Sequence, residues 1–262
     1  MGKITDALKK AAEERLARLE KRAEDTYAVN VRPRATADLR IDPHVVLYSD
    51  PRSPITEQYK ILRTNLQSLS TGPKAMKTFV VTSAIHGEGK TITCINLAMA
   101  LSTDTAKKSV VLVDADMRKS RIAKYLGADV QIGLSEYLSG KTDLENVLLG
   151  TGIENLSFIP AGNVPDNPAE LLGSAKMKEL IGILKAKFDF VIFDTPPIIP
   201  VTDPVVIGSQ VDGIIMAVQA GRTQRGVIKH AVNLINQARG KLLGHVMTNV
   251  EYHIPEYIYR YL

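Results

Sequence analysis

The sequence is poor in cysteine and aromatic residues, and it has no long apolar run. Cys94 is the one cysteine among 262 residues, which excludes a disulfide framework and favours a reducing, cytosolic setting. The chain has no tryptophan and five phenylalanines, so a surface that stacks on single-stranded nucleic acid is not expected. No apolar stretch approaches the roughly 20 residues of a membrane-spanning helix. We therefore expect a cytoplasmic protein without a nucleic-acid partner.

The composition is that of a soluble globular protein. Hydrophobic residues make up 45% of the chain and charged residues 23%. At this length a sizeable core can form. The net charge of +5 is compatible with an anionic lipid, a nucleic acid or an acidic partner, but such a balance is more often only a solvated surface.

The first 53 residues differ in pattern from the rest of the chain. Residues 1–25 place apolar side chains three and four positions apart among Lys, Arg and Glu, which predicts an amphipathic helix. Such a narrow stripe either docks on a second copy, another protein or a membrane face, or remains a solvated arm. Residues 26–53 contain three prolines, scattered charge and little periodicity, and we interpret them as a linker.

Residues 54–250 alternate between short apolar runs and helical patterns, and we interpret them as one domain. The runs, which we predict to be strands, lie at 78–83, 109–114, 156–160, 190–194, 213–218 and 243–250. Helices are predicted between them, for example at 91–102, 174–187 and 224–239. Most of the runs are apolar throughout, as is typical of strands buried on both faces. The predicted fold class is α/β, with a mostly parallel central sheet flanked by helices on both faces.

A glycine-rich loop, residues 84–91, joins the first predicted strand to a predicted helix. The glycines of its sequence, AIHGEGKT, let backbone N–H groups turn toward phosphate oxygens. The sequence departs from the usual P-loop pattern at its first position, where Ala84 replaces glycine. Lys90 would reach the β- and γ-phosphates of a nucleotide, and Thr91 would place its hydroxyl on Mg²⁺. The residues predicted to bind nucleotide are Gly87, Glu88, Gly89, Lys90, Thr91 and Ile92.

Three aspartates follow two of the predicted strands. Asp114 and Asp116 come at the end of one apolar run, and Asp194 ends another. Because the carboxyl ends of parallel strands share one edge of a sheet, these side chains should face the same crevice as Lys90. Carboxylates suit Mg²⁺, so we predict Thr91 and the three aspartates as its ligands, and Lys90 with the same aspartates as the catalytic groups. The alternative is that each Asp only caps the following helix or turn.

These motifs resemble those of the bacterial tyrosine kinases of capsule and exopolysaccharide biosynthesis, the BY-kinases. Residues 87–91 (GEGKT) match the Walker A core of that family, residues 111–118 (VLVDADMR) its Walker A′ motif, and residues 191–197 (VIFDTPP) its Walker B motif. The resemblance covers roughly residues 50–262. It implies a P-loop NTPase fold, ATP and Mg²⁺ as cofactors, and a protein-tyrosine kinase. Arg118 is expected to contact phosphate, a neighbouring subunit or only solvent.

The resemblance also implies autophosphorylation of a C-terminal tyrosine cluster, largely between subunits of a ring. The tail, residues 251–262, contains Tyr252, Tyr257, Tyr259 and Tyr261, although it is alternatively an aromatic edge that packs on the domain. The ring motif of the family, E-x-x-R-x-x-R, falls at Glu57, Lys60 and Arg63, so its first arginine is a lysine here. We expect self-association through these oligomerisation residues. In the phosphorylation reaction we expect Asp116 to be the base that accepts the tyrosine proton.

Members of the family carry a membrane-spanning activator or receive one from a separate protein. For this chain the resemblance implies a separate activator of the polysaccharide co-polymerase type, peripheral association with the inner membrane through that partner, and a cognate tyrosine phosphatase. Two alternatives remain. One is a spatial-organiser ATPase of the partitioning or septum-positioning type, whose second signature lysine is replaced here by Ile85. The other is a nucleotide-binding adaptor that phosphorylates nothing.

Overall fold

One sheet of seven strands forms the centre of the computed structural model, which describes residues 41–72 and 75–250. The strands are β1 (Thr78–Ser83), β2 (Val110–Asp114), β3 (Leu149–Gly150), β4 (Leu156–Ile159), β5 (Phe190–Asp194), β6 (Gly213–Gln219) and β7 (Leu242–Thr248). Their order in the sheet is β3-β4-β2-β5-β1-β6-β7. Every neighbouring pair is parallel except β3 with β4. The predicted α/β class and mostly parallel sheet are confirmed.

Helices occupy most of the connections between the strands. They are α1 (Val46–Ser49), α2 (Pro54–Leu69), α3 (Lys90–Ser102), α4 (Ile122–Tyr125), α5 (Leu134–Leu138), α6 (Leu144–Val147), α7 (Pro168–Leu172), α8 (Ala175–Lys187), α9 (Asp203–Gly208) and α10 (Arg225–Gln237). The helices predicted at 91–102, 174–187 and 224–239 correspond to α3, α8 and α10, and their ends differ by at most two residues. The helix predicted at residues 1–25 and the tail at 251–262 lie outside the described residues.

The core lies on both sides of the central strands. All residues of β1, β2 and β5 are buried, which explains why these runs are apolar without alternation. Helix α3 is buried at eleven of its thirteen residues, because it packs on the sheet on one side and under α2 on the other. The rings of Phe79 and Phe190 stack with centroids 6.3 Å apart. Each such fully buried side chain contributes about 1.5–3 kcal/mol of hydrophobic free energy.

The described part of the predicted linker, residues 41–53, packs on the domain. Val45 is fully buried in the main core cluster. The Asn96 amide of α3 accepts a hydrogen bond from the Leu47 N–H at 3.2 Å and donates one to the His44 carbonyl at 3.1 Å. This stretch is therefore anchored to the nucleotide-loop helix, and the linker prediction for residues 26–40 lies outside the described residues.

Two aspartates fasten the amino-terminal edge of the sheet. The Asp212 carboxylate accepts hydrogen bonds from the Lys77 N–H at 2.8 Å, the Thr78 N–H at 3.0 Å and the Lys185 ammonium at 2.6 Å. Asp189 accepts one from the Ser109 N–H at 2.9 Å. Burial alone would raise the pKa of Asp212, but these bonds, led by Lys185, outweigh it and lower the pKa to about 2.

Candidate active site

The glycine-rich loop at 84–91 takes the shape of a phosphate cradle between β1 and α3. Gly87 has φ +83° and Gly89 has φ +80°, a left-handed conformation that residues with a Cβ rarely adopt. Gly89 is the N-cap of α3, so the positive end of the helix dipole and its unbonded N–H groups face the loop. This geometry suits the phosphates of a nucleotide.

The side chain of Glu88 points into the protein and holds the loop in place. Its Oε2 accepts a hydrogen bond from the Ile85 N–H at 2.8 Å, and its Oε1 accepts from the Gln219 N–H at 3.2 Å and the Thr223 hydroxyl at 2.5 Å. The Thr248 hydroxyl donates to the Glu88 carbonyl at 2.8 Å. This predicted nucleotide-binding residue thus connects the loop to the end of β6 through its carboxylate and to the end of β7 through its carbonyl.

Lys90 lies between two carboxylates at the base of the cradle. Its Nζ is 2.9 Å from Asp116 Oδ2 and 3.7 Å from Asp194 Oδ1. Burial alone would lower the pKa of Lys90, but the charges of Asp194 and Asp116 outweigh it and raise the pKa. The ammonium is therefore held charged at the base of the cradle, and its contact with phosphate oxygens stays a prediction.

The Thr91 hydroxyl donates a hydrogen bond of 2.7 Å to Asp194 Oδ2. The other oxygen of this fully buried carboxylate, Oδ1, accepts no hydrogen bond within the described part of the chain. Burial raises the pKa of Asp194, although Lys90 and Thr91 partly oppose it. A buried carboxylate oxygen without a donor, next to a threonine hydroxyl, is a donor set that fits Mg²⁺.

Asp114 is oriented differently from the other two aspartates. Its Oδ2 accepts hydrogen bonds from the Ser120 hydroxyl at 2.8 Å and from the Arg121 and Ile122 N–H groups at 3.2 and 3.1 Å. Burial, followed by the charge of Asp194, raises the pKa of Asp114 to about 7. For Asp114 the capping alternative describes the geometry, since it binds the turn that begins α4.

The three aspartates do not form a closed cage. Across 41–72 and 75–250, no group of three His, Cys, Asp or Glu side chains is arranged to hold a metal ion. Mg²⁺ is commonly held by one or two carboxylates together with substrate phosphates, so such a cage is not required. The joint ligand set of Thr91, Asp114, Asp116 and Asp194 stays a prediction.

Arg118, at the end of the second acidic motif, binds a residue that the sequence did not point to. Its Nε donates to Asp203 Oδ2 at 2.8 Å and its second guanidinium nitrogen to Asp203 Oδ1 at 3.2 Å. Asp203 is fully buried at the start of α9. Arg118 thereby ties the loop that contains Asp116 to α9, and its contact with phosphate or a neighbouring subunit stays a prediction.

A cleft of about 470 Å³ opens above the cradle. Its lining residues are His86, Gly87, Gly89, Lys90, Thr91, Ile92, Asp116, Lys119, Arg121, Tyr125 and Arg222. The first seven lie in or next to the predicted motifs. The last four were missed, because nothing in their spacing distinguishes them from surface residues. Arg222 is 135 residues away from Gly87, whose carbonyl accepts a hydrogen bond from its guanidinium at 3.3 Å.

The predicted oligomerisation residues, Glu57, Lys60 and Arg63, all lie on α2. Lys60 Nζ is 2.6 Å from Glu57 Oε1 of the same helix. Arg63 turns toward the domain, where a guanidinium nitrogen lies 3.3 Å from Asp104 Oδ1. Arg63 therefore has a partner within its own chain, and the ring contact stays a prediction.

Together these features define a P-loop ATPase, with an acidic group on each of two neighbouring strand ends. A family profile described as an AAA domain matches residues 76–246. Tyrosine-protein kinase YwqD of Bacillus subtilis (strain 168) is 36% identical over 208 residues, which cover 79% of this chain and 86% of that protein. Tyrosine-protein kinase CpsD of Streptococcus agalactiae is 37% identical over 204 residues, which cover 77% of this chain and 87% of that protein.

A solved structure shows the same relationship. The kinase domain of Escherichia coli tyrosine kinase ETK superposes with a TM-score of 0.75 at 26% identity, covering 86% of this chain and 88% of that domain. The chain belongs to the bacterial tyrosine-protein kinases, which confirms the resemblance of its three motifs and does not favour the spatial-organiser or adaptor alternatives. Within the part of the chain described by the structure, no helix is long and apolar enough to cross a bilayer.

Proposed function

We propose that this kinase binds Mg-ATP in the cleft and transfers the γ-phosphoryl group to tyrosines of its own C-terminal tail. The observation that carries the proposal is the contact network of Lys90 with Asp116 and of Thr91 with Asp194. It lies at the carboxyl ends of β1, β2 and β5, where ligands of parallel α/β sheets bind.

The side chains divide the chemistry among themselves. Thr91 and Asp194 would hold Mg²⁺, which when bound neutralises charge on the phosphate oxygens. Lys90 stabilises the charge that develops on the transferred group, and the loop N–H groups orient it. Asp116 is the one carboxylate that lines the cleft among the described residues, and it accepts the proton of the attacking tyrosine hydroxyl.

The last described strand ends beside the cradle. Strand β7 ends at Thr248, whose hydroxyl bonds to Glu88 of the loop. Tyr257 follows nine residues later, so an extended tail reaches up to about 30 Å from that point. This reach supports transfer to a tail that enters the cleft of a neighbouring subunit, in a ring assembled through α2.

The proposal includes the cellular setting that family membership supports. The kinase regulates the polymerisation and export of a capsular or extracellular polysaccharide. A separate membrane-spanning protein activates it and holds it at the inner membrane, and a tyrosine phosphatase reverses the modification. Each added phosphate brings about −1.5 to −2 charges to the tail, and repulsion between such tails would dissolve the ring.

The test is phosphotyrosine mass spectrometry on the purified chain after incubation with Mg-ATP. We expect phosphate on Tyr252, Tyr257, Tyr259 or Tyr261, and none in a Lys90→Met variant that is equally folded. Labelling of the pure Lys90→Met variant would show that the site is wrong. Hydrolysis of ATP without any phosphotyrosine, even with the activator present, would favour the organiser alternative.

A further inference from the structure

Three cations at the rim of the cleft have no role in the chemistry proposed above. Lys119, Arg121 and Arg222 line the cleft and are exposed to solvent. In the region that the structure describes, none of them forms an ion pair with a carboxylate, whereas Lys90 in the depth of the site forms two. We call these three residues the basic rim.

The basic rim is built from two separate loops. Lys119 and Arg121 lie in the loop between β2 and α4, and Arg222 lies in the loop after β6. In the sheet, β2 and β6 lie on opposite sides of the β5–β1 pair, whose carboxyl ends meet at the cradle. Arg222 is held over the loop by bonds to the Gly87 carbonyl and to Gln219 Oε1, at 3.3 and 2.9 Å. A ligand that enters the cleft therefore passes positive charge on both sides.

The acidic residues of the tail are positioned next to its tyrosines. Residues 251–262 contain two acidic residues, Glu251 and Glu256, and each directly precedes a tyrosine, Tyr252 and Tyr257. The other two tyrosines, Tyr259 and Tyr261, flank Arg260. The tail thus offers two Glu-Tyr sites and two sites beside a cation, which the basic rim repels.

We propose that the basic rim binds the glutamate that precedes a tyrosine, so that Glu-Tyr sites are phosphorylated first. This inference rests on the proposed function. Neighbouring side chains of an extended segment point to opposite sides. When a tyrosine ring enters the cleft, the residue before it stays at the mouth, where the rim cations are exposed. The order of modification is then Tyr252 and Tyr257 ahead of Tyr259 and Tyr261.

The transfer step is the same at every site. The bond between the γ-phosphorus and the bridging oxygen of ATP breaks, the electron pair leaves with ADP, and a bond to the tyrosine oxygen forms while its proton goes to Asp116. The rim acts only on how often a given tyrosine is presented. An exposed ion pair changes such a preference by up to about fivefold.

The first experiment follows the order of modification in the full-length protein. The chain is incubated with Mg-ATP, and the initial rate of labelling at each tail tyrosine is measured by mass spectrometry. We expect Tyr252 and Tyr257 to be labelled about three to five times faster than the other two, and the advantage to disappear in Glu251→Gln/Glu256→Gln. Equal initial rates at all four tyrosines would overturn this inference and leave the proposed function standing, whereas a tail with no phosphotyrosine even with the activator present would overturn both.

The second experiment assigns the preference to the rim. Two peptides of the tail sequence, one with both glutamates and one with glutamines, are compared by kcat/KM on the same enzyme. We expect a ratio of about three to five for the unaltered chain and near one for Lys119→Gln/Arg121→Gln/Arg222→Gln. The control is Lys141→Gln/Lys178→Gln/Lys229→Gln, which also removes three exposed cations, none of which lines the cleft.

The ratio separates peptide recognition from nucleotide binding, because a change in ATP affinity affects both peptides equally. If the rim variant raises KM for ATP while the ratio stays at its original value, the cations serve the nucleotide phosphates and the inference is wrong. It is also wrong if the triple lysine control lowers the ratio as much, since the effect would then come from net charge.

Discussion

Replacing Glu88 with Gln should loosen the nucleotide loop without touching any group that contacts phosphate through its side chain. The carboxylate of Glu88 is almost fully buried and accepts hydrogen bonds from two backbone N–H groups and one hydroxyl. Glutamine has the same shape but carries only one acceptor oxygen. In one orientation of the glutamine side chain its NH2 group faces the N–H of Gln219, and in the other orientation it faces the N–H of Ile85. The Thr223 hydroxyl can rotate, but a backbone amide cannot.

The magnitude follows from this count. Glu88→Gln leaves one buried N–H without an acceptor in either orientation, which costs about 1–3 kcal/mol of unfolding free energy. Part of this loss appears as disorder of the loop, so KM for ATP should rise by up to about tenfold, since 1.4 kcal/mol corresponds to a factor of ten. The value of kcat should change less, because Lys90, Thr91 and Asp116 are unaltered.

The assay combines urea unfolding with steady-state kinetics at varied ATP concentration. The matched control is Thr223→Val, which removes the hydroxyl bond to Glu88 but leaves both backbone N–H groups paired. We expect this control to lose about 1 kcal/mol and to keep its KM for ATP. If Glu88→Gln is as stable as the parent chain within about 0.5 kcal/mol and binds ATP normally, the loop does not depend on this carboxylate and the reasoning fails.

Three further predictions concern other buried charges. Burial raises the pKa of Asp114 to about 7, so the folded state keeps a proton that the unfolded chain releases, and stability falls as pH rises from about 4 to about 7. Asp114→Asn should flatten this trend, measured as the difference between urea midpoints at pH 5 and pH 8. An unchanged difference would contradict the prediction. Arg118→Ala leaves the buried carboxylate of Asp203 unpaired and should lower the unfolding free energy by about 3 kcal/mol, more than Asp203→Asn does in the same assay; equal losses would argue against the pair. Arg63→Ala should lower the unfolding free energy by about 1 kcal/mol at any protein concentration, because its ion pair with Asp104 lies within one chain. A loss of stability seen only at concentrations that allow assembly would show that Arg63 acts between subunits instead.

The parts of the fold that could be predicted are those with a clear period or a fixed motif. The apolar runs before the glycine loop and before Asp194 match β1 and β5 residue for residue, because both strands are buried on both faces. Strand β3 was missed, since its two residues pair antiparallel with β4 at the sheet edge and are too few to form a pattern. The short helices α4 to α7 have four or five residues each, which is less than two turns of a helix period.

The same limit applies to the site. That Lys90, Asp116 and Asp194 meet could be predicted, because each follows a parallel strand and such ends share one edge. The bonds of Glu88 to Gln219 and of Arg118 to Asp203 could not, since 131 and 85 residues separate the partners and either acid is also a plausible surface residue. Side-chain direction depends on packing that a single sequence does not reveal.

The aspartates at the two ends of the parallel strands have pKa values shifted in opposite directions, and this affects how the protein responds to acid. At the amino-terminal edge, hydrogen bonds lower the pKa of Asp212 to about 2, so this fastening stays charged and is lost only as pH falls toward 2. At the opposite edge, burial raises the pKa of Asp114 to about 7 and also raises that of Asp194. Mild acidification therefore changes the charge of buried carboxylates near the reacting groups while Asp212 still fastens the opposite edge, so we expect activity to fall with pH before the protein unfolds.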